Sequence, residues 1–387
     1  MSDTNILIIG NGFDLTHKLP TRYTDFMTFV DGWESLYKSM KNGKFNNNKN
    51  SIHTPDDGKM SLDYIPTFLD VSPKYYNMGT VDRFNDLCKK NLWLKYFKNK
   101  KYVKPNWVDF EKEIEDVVKA VCNYYKMLPS LNGKKPNNYF DGETIIATDL
   151  FNDDDPRLFP SIHELSFSDL TPTNITSSKV RTIDNMLTNL NTLIEMLNIY
   201  FTEFIDKIEI DKLSPDILAI GEMNVVTFNY TDYIKKYSNV SQVHYVHGKT
   251  SKDCTEMNTM VLGINDEEIP DNDYIRFFKY FQRIQKRTGT EYKHWIETPV
   301  LLNGDQTVVH IFGHSLANND KSVLSFFLEN KDVDKIVIYY INQNAYEDMI
   351  INLVNMVGKD FVIKNVSEGR IVFSPIKETE NIHLIKM

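Results

Sequence analysis

The amino-acid sequence predicts an α/β fold, and three features of the sequence support this prediction. Five short runs of aliphatic and β-branched residues are continuously apolar, which is typical of strands buried on both faces of a parallel sheet. Most of these runs are separated by stretches with helical periodicity. Several end in glycine or asparagine turns that lead into a helix. We therefore expect a Rossmann-like, mainly parallel sheet with helices on both faces and a large helical insertion.

The predicted strands are short, and the first shows the pattern most clearly. It is a run of isoleucine and leucine that ends at Gly10 and Gly12, directly before a helical pattern. The five predicted strands are residues 5–9, 224–228, 242–246, 307–312 and 335–341.

Between the first and second predicted strands the sequence is mainly helical in pattern. Residues 107–127 place apolar side chains at helical spacing with carboxylates on the opposite side, which predicts an amphipathic helix. Residues 181–208 show a second helical pattern. The polar, turn-rich residues 41–60 and 150–180 are expected to form surface loops.

The chain of 387 residues is expected to form one domain. It contains no internal repeat, and no flexible linker is long enough to separate two independent domains. We predict a single α/β domain over residues 1–387, with a helical insertion at about residues 31–218.

Composition and sequence features indicate where the protein acts and which partners are excluded. Lys and Arg total 44 against 53 Asp and Glu, and the net charge of −9 gives no general attraction to nucleic acid or anionic lipid. The three cysteines form no CxxC pair, which argues against a four-cysteine zinc site and a disulfide framework. The sequence shows neither a secretion signal nor an apolar run of about 18 residues. We expect a cytoplasmic protein with no membrane partner.

The residues directly after the predicted strands are candidate ligand contacts, because open parallel sheets bind ligands at the carboxyl ends of their strands. After the first strand, Gly10, Asn11 and Gly12 form a turn that lets the backbone approach a phosphate or ribose, with Asp14 close behind. The glycine spacing departs from the dinucleotide fingerprint. A plain strand-to-helix turn is the alternative interpretation.

Two polar residues follow the next two strands. Asn229, after Thr227, is placed to hold a ribose hydroxyl or a water molecule, and the alternative is that it caps the next helix. His247 comes before Gly248, and an imidazole at a strand end is expected of a general base because its ordinary pKa is near 6.5. A hydrogen-bonded structural histidine is the alternative.

The fourth predicted strand ends in a further turn. Gly313, His314 and Ser315 bring amides and a hydroxyl to a position where a phosphate would bind. His310 and His314 lie near Asp320 in the sequence, but no third ligand has a fixed spacing, so no metal site is expected.

A basic and aromatic stretch, residues 89–105, has two interpretations. It interleaves lysines with Trp93, Tyr96, Phe97 and Tyr102, a composition that suits stacking on nucleic acid. The alternative, which we favour, is a solvated lysine face over buried aromatic rings.

Four motifs in sequence order resemble the AbiH family of bacterial phage-defence (abortive infection) proteins. The motifs are LIIGNGFDLTHKLPTRYTDF, VVTFNYTDY, HYVHGK with VLGIND beyond it, and HIFGHSLANND. A more distant similarity is to the sirtuin fold, with its GAG turn and Ile-Pro, its Thr-Gln-Asn-Ile-Asp strand end, its His-Gly and its Gly-Thr-Ser-Leu. The matching residues are Gly10, Asn11 and Gly12, then Leu19 and Pro20, Thr227 and Asn229, His247 and Gly248, and Gly313, Ser315 and Leu316.

The sirtuin resemblance implies that the sheet binds NAD as a substrate. It implies that Asn229 and His247 lie at the nicotinamide ribose as catalytic residues. The implied binding residues are Gly10, Asn11, Gly12, Asp14, Thr227, Gly248, Gly313, His314 and Ser315. Thr231 stands where the sirtuin pattern has Asp, and the cysteine-rich zinc module is absent from the sequence. Cleavage of NAD by water is then the expected chemistry.

Three functional hypotheses follow from these features. The first is an abortive-infection effector that hydrolyses NAD to nicotinamide and ADP-ribose. The second is a nucleotide-binding sensor without turnover, which the departure at Thr231 favours, and the third is an effector that acts on nucleic acid through residues 89–105. For the first, we expect activity to be gated by self-association into a homo-oligomer or by rearrangement of the insertion.

Overall fold

The computed structural model shows the arrangement of most of the chain. The residues that it describes are 4–42, 72–103, 109–131, 171–210, 212–252, 258–265, 269, 271–297, 306–377 and 384–385.

The main sheet has six parallel strands within the described residues, in the spatial order β4-β3-β1-β5-β6-β7. Counting only these six strands along the chain, the order is 3-2-1-4-5-6, the arrangement of dinucleotide-binding folds. The predicted α/β fold with a Rossmann-like parallel sheet is confirmed. A separate antiparallel pair joins β2 and β8. The strands are β1 Thr4–Ile9, β2 Glu209–Ile210, β3 Met223–Thr227, β4 Val240–Tyr245, β5 Thr307–Phe312, β6 Lys335–Tyr340, β7 Ile371–Pro375 and β8 Leu384–Ile385.

All five predicted strands are present, and burial explains why they were recognisable. The central strand β1 is at most 1% exposed from Ile6 to Ile9, since the sheet is covered on both faces there. The sequence prediction missed β7, which pairs with β6 and ends in Pro375. Proline is tolerated at the edge of a sheet, but it makes a short strand hard to recognise.

The register of the strands brings their carboxyl ends to one edge. Ile9 pairs with Thr227 on one side and with Phe312 on the other, and Thr227 pairs in turn with Tyr245. Backbone hydrogen bonds continue this alignment beyond the strands, from Phe228 N to Ile9 O at 2.9 Å. The residues that follow β1, β3, β4 and β5 therefore lie side by side.

Several helices lie in the long insertion between β1 and β3, and the others follow along the rest of the chain. The main helices are α1 Asn11–Thr16, α2 Tyr23–Asn42, α3 Met78–Lys90, α4 Leu92–Val103, α5 Phe110–Met127, α6 Pro172–Ile199, α7 Pro215–Leu218, α8 Lys279–Gln285, α9 His294–Glu297, α10 Lys321–Leu328, α11 Gln343–Val357 and α12 Lys359–Ser367. Helix α6 continues directly into a π-helical turn, Tyr200–Ile205.

Both predicted helices are present, and one boundary was wrong. The amphipathic helix forms as α5, with the Asp109 side chain accepting a hydrogen bond from Lys112 N at 3.1 Å at its beginning. Helix α6 begins at Pro172 rather than at 181, because the Thr171 hydroxyl accepts a hydrogen bond from Asn174 N at 3.2 Å and proline suits the first helical position. The loop predicted at residues 41–60 is wrong at 41 and 42, which are the last residues of α2, and the loop predicted at 150–180 is wrong from 172 onwards, where α6 begins. Residues 43–60 and 150–170 lie outside the described residues.

The chain divides into two compact units. The first consists of Met1–Met78, Asn198–Met260 and Lys286–Met387 and contains the six-stranded sheet. The second consists of Gly79–Leu197 and Val261–Gln285 and is helical in its described part. The helices described within Gly79–Leu197 lie inside the insertion expected at about residues 31–218.

The basic and aromatic stretch belongs to the second unit, where its described aromatic rings are buried. Trp93, Tyr96 and Phe97 are at most 6% exposed, and Trp93 Nε1 donates a hydrogen bond to Met186 O at 3.0 Å. The Phe97 ring stacks on Phe110 with centroids 4.2 Å apart. These three rings are core residues and offer no stacking surface to nucleic acid.

Across the ranges given above, no helix has both the length and the apolar character needed to cross a membrane.

Candidate functional site

The turns after β1 and β5 pack directly against each other at the point where the strand order reverses. Gly12 N donates a hydrogen bond to Gly313 O at 2.8 Å, and a Cβ atom at Gly12 would lie 2.6 Å from Gly313 Cα. Gly313 has a φ of +64°, a conformation that glycine adopts without strain. Both glycines are therefore required by contact between two backbones, and this contact explains the glycine pattern without any ligand.

Backbone amides at the beginning of α1 donate hydrogen bonds to other backbone groups of the protein. Gly12 N is bonded to Gly313 O, and Phe13 N donates to Gly10 O at 2.9 Å. The exposed side chain of Asn11 accepts a hydrogen bond from the Thr21 hydroxyl at 2.6 Å. Contact of these two amides with a phosphate would need a rearrangement of the turn.

The side chain of Thr227 holds the backbone at Asn229 in place. The Thr227 hydroxyl accepts a hydrogen bond from Asn229 N at 3.0 Å, and Asn229 is only 5% exposed. Asn229 does not cap the following short helix, which begins after Asp232. Its Nδ2 is buried without a hydrogen bond of good geometry, although it lies close enough to Asp14 to lower the pKa of that carboxyl group. This buried amide is a polar group of the site with capacity for a ligand.

Asp14 is buried beside Asn229, and Thr231 contacts it as well. The Thr231 hydroxyl lies 3.0 Å from Oδ1 and 2.9 Å from Oδ2 of Asp14. Burial raises the pKa of Asp14 to about 7, while the hydrogen bonds of Thr231 and Asn229 lower it and the charge of Asp206 adds to the increase. A carboxyl group of this kind changes its charge near neutral pH.

His247 lies at the end of β4 with a carboxylate against its imidazole. Its Nε2 is 3.2 Å from Asp320 Oδ1, and the side chain is 8% exposed. The ring of Phe228 packs edge-on against it at a centroid distance of 5.4 Å. Gly248 has a φ of +69°, and a Cβ atom there would collide with the Thr259 carbonyl oxygen. The glycine after the histidine therefore accommodates the Thr259 carbonyl group.

Asp320 is the functional candidate that the sequence left without a role. It precedes α10 and also faces His314, whose Nε2 lies 3.4 Å from Asp320 Oδ2. His314 itself is 5% exposed, and its Nδ1 accepts a hydrogen bond from Leu316 N at 3.0 Å. The neighbouring Ser315 side chain is exposed. A single aspartate before a helix has no sequence pattern that would indicate a functional role. Asp320 contacts His247 only because of the order of the strands in the sheet.

The remaining strand histidines have other partners. His244 Nδ1 lies 2.9 Å from Glu291 Oε2, and His310 Nδ1 lies 3.1 Å from the Tyr339 hydroxyl. Burial lowers the pKa of His310 to about 4, so it is neutral at physiological pH. In the part of the chain that the structure describes, no group of three or more His, Cys, Asp or Glu residues is arranged to hold a metal ion.

These features define an α/β protein with a dinucleotide-type strand order and a buried histidine–carboxylate pair at the carboxyl edge of its sheet. The family model for bacteriophage abortive infection AbiH matches residues 6–342. Because this match covers most of the chain, the protein belongs to the AbiH family, which indicates phage defence by abortive infection. Neither the curated proteins nor the solved structures contain a significant match to the chain.

Proposed function

We propose that this AbiH protein hydrolyses NAD to nicotinamide and ADP-ribose as an effector of phage defence. The observation that supports this proposal most directly is the position of Asn229 and His247, which follow the paired strands β3 and β4, with Asp320 facing the imidazole. Sheets with this strand order bind nucleotides at the carboxyl ends of their strands. The sirtuin-like order of the sequence motifs supports the same class of substrate.

The chemistry needs a base and a group that orients the reactants. Cleavage of the bond between nicotinamide and ribose leaves the bonding electron pair on the ring nitrogen and a positive, oxocarbenium-like ribose carbon. Water attacks this carbon, and His247 accepts the proton that the water loses. Asn229 orients the water or a ribose hydroxyl through its buried amide.

The other candidate binding residues have supporting roles in this proposal. Asp14, released from Thr231, accepts a hydrogen bond from a ribose hydroxyl. Asn11 and Ser315 approach the phosphates, because their side chains are exposed on the two adjoining turns. The glycines at positions 10, 12 and 313 hold these turns together.

Burial of the site supports a gated enzyme. Asn229 and His247 are 5% and 6% exposed, so a substrate reaches them only after a local opening. We propose that infection triggers this opening through self-association or through movement of the helical insertion. A closed resting state limits the loss of NAD in uninfected cells.

A nucleotide sensor without turnover is the second candidate. The contact of Thr231 with both oxygens of Asp14 favours it, because the carboxylate is already occupied and the sirtuin pattern has an aspartate where Thr231 stands. A sensor would bind NAD or ADP-ribose with the same turns and would release no nicotinamide.

Nicotinamide release separates the two candidates. Purified protein is incubated with NAD, with and without phage lysate, and nicotinamide is measured by chromatography. We expect the His247→Ala and Asn229→Ala variants to lose about 10²- to 10⁴-fold of the activity, the usual effect of removing a positioned base. His310→Ala is the matched control, since this neutral histidine contacts Tyr339. NAD binding by calorimetry without release under either condition would favour the sensor.

A further inference from the structure

The Asp320 carboxylate lies between two buried imidazoles, and each of its oxygens faces one of them. Oδ1 lies 3.2 Å from Nε2 of His247, and Oδ2 lies 3.4 Å from Nε2 of His314. The Asp320 side chain is 13% exposed, and the two imidazoles are 8% and 4% exposed. In such an environment a carboxylate interacts with an imidazole much more strongly than it does in water.

The protonation of His314 follows from its backbone contact. Its Nδ1 accepts a hydrogen bond from Leu316 N at 3.0 Å, so this nitrogen carries no proton. Neutral His314 must then carry its proton on Nε2, directed at Asp320 Oδ2. One oxygen of the carboxylate therefore faces the turn after β5. The contact of the other oxygen, Oδ1, with His247 Nε2 at 3.2 Å is an ion-pair contact rather than a hydrogen bond of good geometry, so it acts on the imidazole through charge.

We propose that Asp320 is a positioning residue that acts through His247. The negative charge of the carboxylate favours the His247 proton on Nε2, so that Nδ1 is the nitrogen that accepts a proton. It also stabilises the imidazolium that forms when that proton arrives. This inference rests on the proposed function: as the water oxygen bonds to the ribose carbon, the water O–H bond breaks and its proton moves to Nδ1 of His247.

The described surroundings of His247 include the carboxylate of Asp320 at ion-pair distance. Other groups that face it include the ring of Phe228 at 5.4 Å, the ring of Tyr230 at 6.5 Å and, through Asp320, the imidazole of His314. Of these groups, only Asp320 has a carboxylate that selects which ring nitrogen carries the proton.

The first test measures the proton position directly and does not depend on catalysis. Protein with ¹⁵N-labelled histidine is studied by NMR, and a His247→Gln variant assigns the resonance. We expect the Nε2-protonated form of neutral His247 in the wild type, and a shift towards the Nδ1-protonated form in Asp320→Asn, because the introduced amide can donate to Nε2. Asp216→Asn is the control, since the buried Asp216 carboxylate accepts a hydrogen bond from Lys377 N at 2.9 Å. This substitution should leave the His247 signal unchanged. An unchanged His247 signal in folded Asp320→Asn would overturn the inference.

The second test uses nicotinamide release. Asp320→Asn is expected to lower kcat by roughly 10²-fold or more with little change in KM, because a wrongly protonated base fails in the transition state while binding persists. Asp320→Glu, which keeps the carboxylate, is expected to recover part of the rate. Equal KM and kcat effects without recovery would indicate a structural role only. If the wild type releases no nicotinamide, the proposed function fails, and NMR still decides the role of Asp320.

Discussion

The Thr231 hydroxyl lies 3.0 Å and 2.9 Å from the two carboxylate oxygens of Asp14. The pair joins the helix after β1 to the segment after β3. Two carboxylates at this separation would repel each other, whereas a hydroxyl donates a hydrogen bond. The threonine is therefore compatible with a buried Asp14.

Replacement of Thr231 tests this compatibility. Thr231→Val removes the hydroxyl at nearly constant volume and leaves the buried Asp14 without this donor, which should cost about 1–3 kcal/mol in the free energy of unfolding. Urea denaturation measures the loss, which should be larger at pH 8 than at pH 5 because the ionised carboxylate needs the donor more. Thr28→Val is the matched control, since the Thr28 hydroxyl only donates to Thr24 O within helix α2. Equal effects of the two substitutions would contradict the assignment.

The raised pKa of Asp14 predicts a specific dependence of stability on pH. Burial raises the pKa of Asp14 from its ordinary value of 3.8 to about 7 in the folded protein, so the folded state binds the extra proton between these values. The contribution of Asp14 to the free energy of unfolding should therefore decrease by a few kcal/mol from pH 4 to pH 7. His17 and His310, whose pKa values are lowered to about 4, act in the opposite direction over pH 4 to 6.5.

The contribution of Asp14 is isolated by comparison with Asp14→Asn. The variant should gain stability relative to the wild type as pH rises from 4 to 7, as measured by urea denaturation at several pH values. A stability difference that stays constant with pH would show that Asp14 does not titrate in this range.

The contact between the two glycine turns predicts that alanine is poorly tolerated there. In Gly12→Ala the added methyl group would lie 2.6 Å and 2.7 Å from Gly313 Cα and O, so the turns must separate, at about 1–3 kcal/mol. Gly221→Ala is a control, since nothing lies within 4 Å of its Cβ position and only its φ of +84° is strained. Thermal denaturation and NAD calorimetry should show lower stability and weaker binding for Gly12→Ala. Unchanged binding by a destabilised but folded variant would mean that the turn is purely structural.

A chain of buried hydrogen bonds near β1 predicts the effect of losing one hydroxyl. Ser214 N donates to the Tyr237 hydroxyl, which donates to His17 Nε2 at 2.8 Å, and His17 Nδ1 donates to Phe13 O at 2.7 Å. Burial lowers the pKa of His17 to about 4, so the imidazole is neutral. A neutral imidazole donates from one nitrogen and accepts at the other, as in this series of hydrogen bonds.

Tyr237→Phe leaves both Ser214 N and His17 Nε2 without their partner, so we expect a loss of about 1–3 kcal/mol. Tyr340→Phe removes a hydroxyl that is not part of this series of hydrogen bonds and should lower the free energy of unfolding less. Urea denaturation measures the free energy of unfolding of both variants. A smaller effect of Tyr237→Phe than of Tyr340→Phe would contradict the hydrogen-bond order.

Local patterns predicted the parts of the fold that local chemistry controls. The five apolar runs became strands because a strand buried on both faces must be apolar throughout, as Ile6 to Ile9 illustrate. The predicted start of α6 was wrong because Thr171 and Pro172 form a helix beginning inside a segment that is otherwise rich in turn residues. The strand β7 was missed because its short sequence ends in proline.

By itself, the sequence determined that Asn229 and His247 follow strands of a parallel sheet, since hydrophobic periodicity and turn residues are properties of neighbouring positions. Only the tertiary structure decided which side chains meet at the edge of that sheet. Strand order placed Asp320 against His247, joined Thr231 to Asp14, and set the backbone of Gly12 against that of Gly313. The physical reason is that these contacts depend on which strands become neighbours, and the packing of the whole sheet decides this.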